Sequence, residues 1–242
     1  MLLKTDIKLM KKFSILVCLS CLCTSFSYAQ VIDCDDPTSS SLKKICSDQF
    51  KDIRQKLDTQ SMTAFLISDA PQRLLVDTHQ LWLNRLQQCK SLACYQQQMD
   101  FRIDDLNFYT SLNQSLTQHY LKFEHGAIAK QPVHLQVHQL SKDKIKIEGI
   151  AYRSPNNRIE TQTISFLAYT TPDQKQNITD NENNCHYQFN FQKAILSVQS
   201  ESKACNRFVG VYRVYDYAGK QIKIMDIGRL KSCKYSSNAA TS

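Results

Sequence analysis

The chain has 242 residues, a length that fits one large domain or two small ones. Hydrophobic residues make up 42% and charged residues 21%, which excludes a disordered acidic tail, a collagen-like repeat and a multi-span membrane protein. With 5 glycines and 5 prolines, glycine-rich phosphate loops are not expected, whereas 10 cysteines and a net charge of +8 stand out.

Lys4, Lys8, Lys11 and Lys12 form a cationic start, and an apolar run follows from Phe13 to Cys23. The run is shorter than the roughly 20 residues a spanning helix needs. Ser27 and Ala29 then place small residues where a signal peptidase reads. This layout predicts a secretory signal over 1–29 and a mature chain that starts at Gln30, periplasmic or secreted. Cys18, Cys21 and Cys23 lack the flanking residues of a lipid-anchor site. Removal of the signal lowers the net charge to +5 and leaves seven cysteines: Cys34, Cys46, Cys89, Cys94, Cys185, Cys205 and Cys233. No CxxC spacing remains among them, so disulfides rather than a zinc site are expected, with one thiol left over.

Residues 42 to 122 read as helical. Leu42, Ile45, Phe50, Ile53 and Leu57 follow the 3.6 period, with Ser39 to Ser41 as N-cap candidates. Asp69 and Pro71 break the pattern and suit the start of a second helix. Its face is Leu75, Thr78, Trp82, Leu86 and Cys89. A third stripe runs through Leu92, Tyr95, Met99, Ile103 and Leu106. On one unbroken helix Cys89 and Cys94 would point about 140° apart. Bridging them requires a break at Lys90 and Ser91, and Ser91 is a suitable cap for the restart.

From about Gly126 the period becomes two. Val133, Leu135 and Val137 alternate with His134, Gln136 and His138, and Ile145, Ile147 and Ala151 continue the pattern after a turn at Ser141 to Asp143. Further strands are expected over Ile159 to Tyr169, His186 to Gln192, Ile195 to Ser200, Phe208 to Tyr215 and Gln221 to Ile227. The polar stretch Thr170 to Asn184 reads as a long exposed loop. The expected fold is α+β: a disulfide-stapled helical domain over 30–125, then an antiparallel β barrel or sandwich over 126–242.

The charges divide with the halves. Residues 30–125 hold ten Lys/Arg against twelve Asp/Glu, a net of −2, and residues 126–242 hold sixteen against nine, a net of +7. The first half suits a basic partner, with Asp35, Asp36, Asp48 and Asp52 as candidate target-binding acids. The second suits an anionic envelope surface.

The helical half carries a cysteine frame. Asp33 and Cys34 open it, and Ile45, Cys46 and Ser47 lead into the first helix. Leu81, Trp82, Leu83 and Arg85 then precede Cys89, and Cys94, Tyr95, Arg102 and Leu106 close it. Over residues 33 to about 108 this resembles the LprI-type lysozyme-inhibitor N-terminal family, small helical disulfide-bridged domains of secreted and periplasmic bacterial proteins. The family commonly has Gln three before the Trp and Arg four after it; His79 and Leu86 stand there, with Arg85 one step early. A Cys–strand–turn–strand–Cys–strand layout downstream looks like a small β domain attached to such helical domains. Four cysteines allow three pairings. Cys34–Cys46 and Cys89–Cys94 are expected because both are local and sit at helix ends, and Cys185–Cys205 would tie two strand ends. Trp82 and Arg85 read as core residues.

Catalytic chemistry finds no footing. The six histidines sit in no nucleophile, metalloprotease or glycosidase context, and His134 and His138 lie about 13 Å apart along a strand. Asp104 and Asp105 are neighbours that diverge on a helix. The expectation is a binding protein, not an enzyme, with no metal or other cofactor and no nucleic-acid partner. The resemblance implies a lysozyme-inhibitor-like protein that sterically blocks a basic muralytic enzyme. The alternative is a non-inhibitory envelope or immunity protein that binds another effector.

Overall fold

The structure, a computed structural model, describes residues 31–157 and 161–215. The signal-like segment, the strand expected over Gln221 to Ile227 and Cys233 lie outside the described residues. Helices come first: α1 (Ser40–Ile45), a 3-10 turn (Asp48–Phe50), α2 (Lys51–Leu66), α3 (Gln72–Gln87) and α4 (Leu92–Ser111). Ser39 caps α1 by accepting the Leu42 N–H, and Ser91 caps α4 by accepting the Cys94 N–H. Asp69 does not cap α3; Pro71 itself holds the N-cap position, with no side-chain bond there.

Nine strands follow among the described residues: β1 (Thr117–Glu124), β2 (Ala127–Ile128), β3 (Val133–Ser141), β4 (Lys144–Tyr152), β5 (Thr163–Thr170), β6 (Asn177–Asp180), β7 (Cys185–Phe191), β8 (Ile195–Gln199) and β9 (Gly210–Tyr215). The antiparallel order is β5-β4-β3-β1-β9-β8-β7-β6, with β2 folded back on β1. His125 and Gly126, both at positive φ, make the two-residue turn between β1 and β2. The ends of the sheet meet, so the barrel is nearly closed. Asp180 does the joining: its Oδ1 accepts the Leu167 N–H at 3.1 Å, while Asn181 N–H donates to the Leu167 carbonyl at 2.7 Å. The α+β order is therefore as expected.

Two readings need correction. The helical pattern does not reach residue 122, because α4 ends at Ser111 and 117–124 form a central strand between β3 and β9. Both faces of β1 are covered, Tyr120 in the barrel core and Leu121 in the helical core, so its sequence lacks clean alternation. The stretch 170–184 is not all loop either. It contains β6, whose Ile178 and Asp180 point inward and are buried.

The barrel core is built from Val133, Leu135, Ile147, Phe166, Phe189 and Tyr212 with their neighbours. Gly149 packs tightly against it: a Cβ there would lie 2.5 Å from Leu135 Cδ2 and would force that buried side chain to shift. The helical core joins Ile45, Phe50, Leu75, Trp82 and Met99, and the expected stripes face it except for Leu92, which is exposed. The three expected disulfides, Cys34–Cys46, Cys89–Cys94 and Cys185–Cys205, are all formed. Such bridges fit an oxidising, extracytoplasmic environment. Among the described residues no helix is long and apolar enough to cross a membrane.

Candidate functional site

A β-strand sends alternate side chains to opposite faces, and directly paired residues share a face. Leu121 pairs with His134, and His119 pairs with Gln136. His134 in turn pairs with Ile150, and Gln136 with Glu148. Tyr152 falls on the same outer face. His119, Leu121, Gln136 and Tyr152 on this face are buried, while Glu148 and Ile150 are half-exposed. α3 and α4 lie across it, and the seam is polar.

Trp82 and Arg85 project from α3 into the seam, both buried. Trp82 Nε1 donates to the Gln98 carbonyl at 2.7 Å. Arg85 Nε donates to Gln98 Oε1 at 3.1 Å and Nη1 to the Arg153 carbonyl at 2.6 Å. Its guanidinium also covers the Tyr152 ring, 4.6 Å from the centroid. Burial lowers the Arg85 pKa to about 10, against the opposing fields of Tyr152 and Asp105. Through these bonds Arg85 ties the helices to the barrel.

On α4, Asp105 accepts the Tyr152 hydroxyl, with Oδ1 at 3.0 Å and Oδ2 at 3.1 Å. Burial raises its pKa to about 6, although Arg102 and the Tyr152 bond pull the other way. Behind it a histidine pair crosses β1 and β3, with His119 Nδ1 3.1 Å from His134 Nε2. The tautomers follow from the neighbours. Gln114 Nε2 donates to the Tyr109 carbonyl, so Gln114 Oε1 is the acceptor 2.8 Å from His119 Nε2. That nitrogen carries the proton, His119 Nδ1 is bare, and His134 Nε2–H donates to it. Burial, aided by nearby cations and histidines, holds both rings neutral; the His134 pKa falls to about 4.

Beside this network a cleft of about 320 Å³ opens between α4 and the outer face of β3 to β5. Four carboxylates line it: Asp104 and Asp105 on α4, Glu148 on β4, and Glu182 just after β6. Phe108, Ile150 and Leu167 supply apolar wall, and no lysine or arginine lines it. Gln136 reaches its base, where Nε2 donates to Glu148 Oε2 at 3.1 Å. Lys146 Nζ, outside the lining, lies 2.5 Å from Glu148 Oε1. A cavity of this size, mostly apolar with a few convergent polar groups, is the usual form of a ligand site. Among the described residues no group of three or more His, Cys, Asp or Glu side chains could hold a metal ion.

Asp35, Asp36, Asp48 and Asp52 are all exposed, around the Cys34–Cys46 bridge and the first turn of α2. Lys43, Lys44 and Lys51 stand exposed in the same segment, so the local field is mixed. None of the four lines the cleft. No sequence pattern marks the acidic cleft; Asp104 and Asp105 diverge on the helix, but both reach it because α4 lies across the sheet.

Comparison of the chain with family models, with curated proteins and with solved structures returned no match to any of them.

Proposed function

We propose that this is an exported, periplasmic or secreted binding protein of the lysozyme-inhibitor type, which occludes a basic muralytic enzyme sterically. The observation that carries the reading is the cleft: carboxylates from α4, β4 and the segment after β6 converge on a space with no lysine or arginine in its wall. Opposite charges across an interface speed encounter and set register, and like charges cost affinity. A strongly basic enzyme is therefore the matching partner. The three bridges support the compartment, since export would deliver the chain to where such enzymes act. The cysteine frame with Trp82 supports the inhibitor type.

In this reading both halves act together, because α4 and the β strands build one cleft. The net +7 of residues 126–242 would hold the protein near anionic envelope polymers. The test is a turbidity assay of cell-wall clearing by a basic lysozyme in the presence of the full exported chain. Dose-dependent slowing supports the reading, and an unchanged clearing rate at large molar excess overturns it.

A further inference from the structure

The outward positions of β6, β7 and β8 hold amides and hydroxyls. Asn177 pairs with Gln188, and Gln188 pairs with Gln199, so three amide side chains stand in one row across three strands. Asn190 pairs with Ser197 in the next row of the same face. All four amides are exposed, and among the described residues none of the four bonds through its side chain. Two depressions, of about 380 Å³ and about 850 Å³, share Asn177, Gln188 and Gln199 and so make one groove. Among the described residues that line it Glu201 is the single acid, and no lysine or arginine is present.

Charged residues make up 21% of the chain, yet this face is almost without them. Asparagine is among the residues that strands disfavour, and Asn177 and Asn190 both occupy exposed strand positions. Local preferences broken with no gain in packing are a mark of functional surfaces.

The lining selects the class of ligand. A nucleic acid or acidic polymer needs a set of cations, and a basic protein needs a set of acids. A partner helix or a lipid surface needs an apolar strip, and no large exposed apolar side chain lines the groove. What the groove offers is free amides, each with a carbonyl acceptor and an NH2 donor. Sugar hydroxyls use both, and an acetamido group can meet a side-chain amide at two points. Neighbouring strands lie about 4.8 Å apart, close to the advance of one sugar along an extended β-linked glycan, so successive sugars meet successive amides of the row.

We infer that this groove binds a neutral glycan strand of β-linked, N-acetylated sugars, laid across β6, β7 and β8 with its polar groups on Asn177, Gln188 and Gln199. The groove shares no lining residue with the acidic cleft, so the inference goes beyond the enzyme-occluding reading and stands or fails apart from it.

The test titrates the protein with chitohexaose, and separately with cellohexaose, which lacks the acetamido groups. Side-chain amide NMR signals are followed with no lysozyme present. Chitohexaose should shift the side-chain amides of Asn177, Gln188 and Gln199 saturably. Cellohexaose should bind at least about fivefold more weakly, the scale of one neutral hydrogen bond. The chitohexaose affinity should be the same at about 0.05 M and about 0.5 M salt, because no charge pair is involved. Gln188→Ala should weaken binding about fivefold, and Gln188→Ala combined with Gln199→Ala should remove it. Both positions are exposed, so the melting temperature and the amide signals outside the groove should stay as in the parent protein. Absence of a saturable shift, equal binding of the two hexasaccharides, affinity that falls at high salt, or undiminished binding by the double variant overturns the assignment.

Discussion

Arg85 on α3 and Tyr152 on β4 stack across the seam between the helices and the barrel, with the guanidinium carbon 4.6 Å from the ring centroid. The pair joins residues 67 positions apart, and the Arg85 Nη1 bond to the Arg153 carbonyl reinforces it. Removing the guanidinium by Arg85→Met keeps the apolar stem but deletes two hydrogen bonds and the stacking. The expected cost is about 3 kcal/mol, from charged hydrogen bonds and a desolvated cation–π contact. Chemical denaturation followed separately by helical signal and by tyrosine fluorescence measures it. Coincident transitions in the parent protein and a lowered midpoint in the variant are expected.

Barrel closure depends on Asp180, which is fully buried. Its carboxylate accepts from the Leu167 and Glu182 N–H groups and from Asn183 Nδ2. Asp180→Ala strands those donors at the junction of β5 and β6, at a cost of about 3 kcal/mol or more. Hydrogen exchange should show the Leu167 amide losing protection first, while amides in the middle of β3 stay protected.

The disulfides should contribute unequally. Loop-closure entropy grows with the logarithm of the loop, so the 20-residue separation of Cys185 and Cys205 is worth about 3 kcal/mol and the 5-residue separation of Cys89 and Cys94 about 2 kcal/mol. Paired Cys→Ala variants compared by melting should rank in that order. Cys34–Cys46, with a separation of 12, falls between them.

Acid should destabilise the protein. His134 titrates at about 4 and His79 at about 3 in the fold, both held down chiefly by burial, and His119 is lowered too. The unfolded chain takes up these protons near pH 6.5, and the fold resists them. Stability therefore falls as pH drops from about 6.5 to about 4, by roughly 3 kcal/mol for His134 alone. Asp105, raised to about 6, acts in the opposite sense: its contribution is present at acid pH and lost as pH rises through about 6. It offsets one histidine, and the remaining ones decide the sign. His134→Gln retains a donor toward His119 and removes one titration, so the melting temperature of that variant should depend less steeply on pH.

The parts of this fold that were legible in the sequence are those where one residue pattern has one physical meaning. Cys89 and Cys94, five apart with a serine between them, demand a helix break, and Ser91 supplies it. The alternation of Val133, Leu135 and Val137 marks a strand with one face in a core. β1 was hidden because both its faces are buried. β6 was hidden because only Ile178 and Asp180 face inward within a polar stretch. The cleft was illegible for a different reason. Gln136 and Glu148 become neighbours only through the register of β3 and β4, and Asp104 and Asp105 join them only because α4 crosses that sheet. His119 and His134 are likewise joined only by strand pairing. The polar positions of β3 alternate as solvent-facing ones would, yet helices cover them.

The most direct test is calorimetric titration of the protein with a basic lysozyme at two ionic strengths, about 0.05 M and about 0.5 M, between which the screening length falls about threefold. Saturable one-to-one binding is expected at low salt, weakening at least about tenfold at high salt, with a loss for Asp104→Asn as well. Absence of binding at low salt, or binding that neither salt nor Asp104→Asn changes, would contradict it.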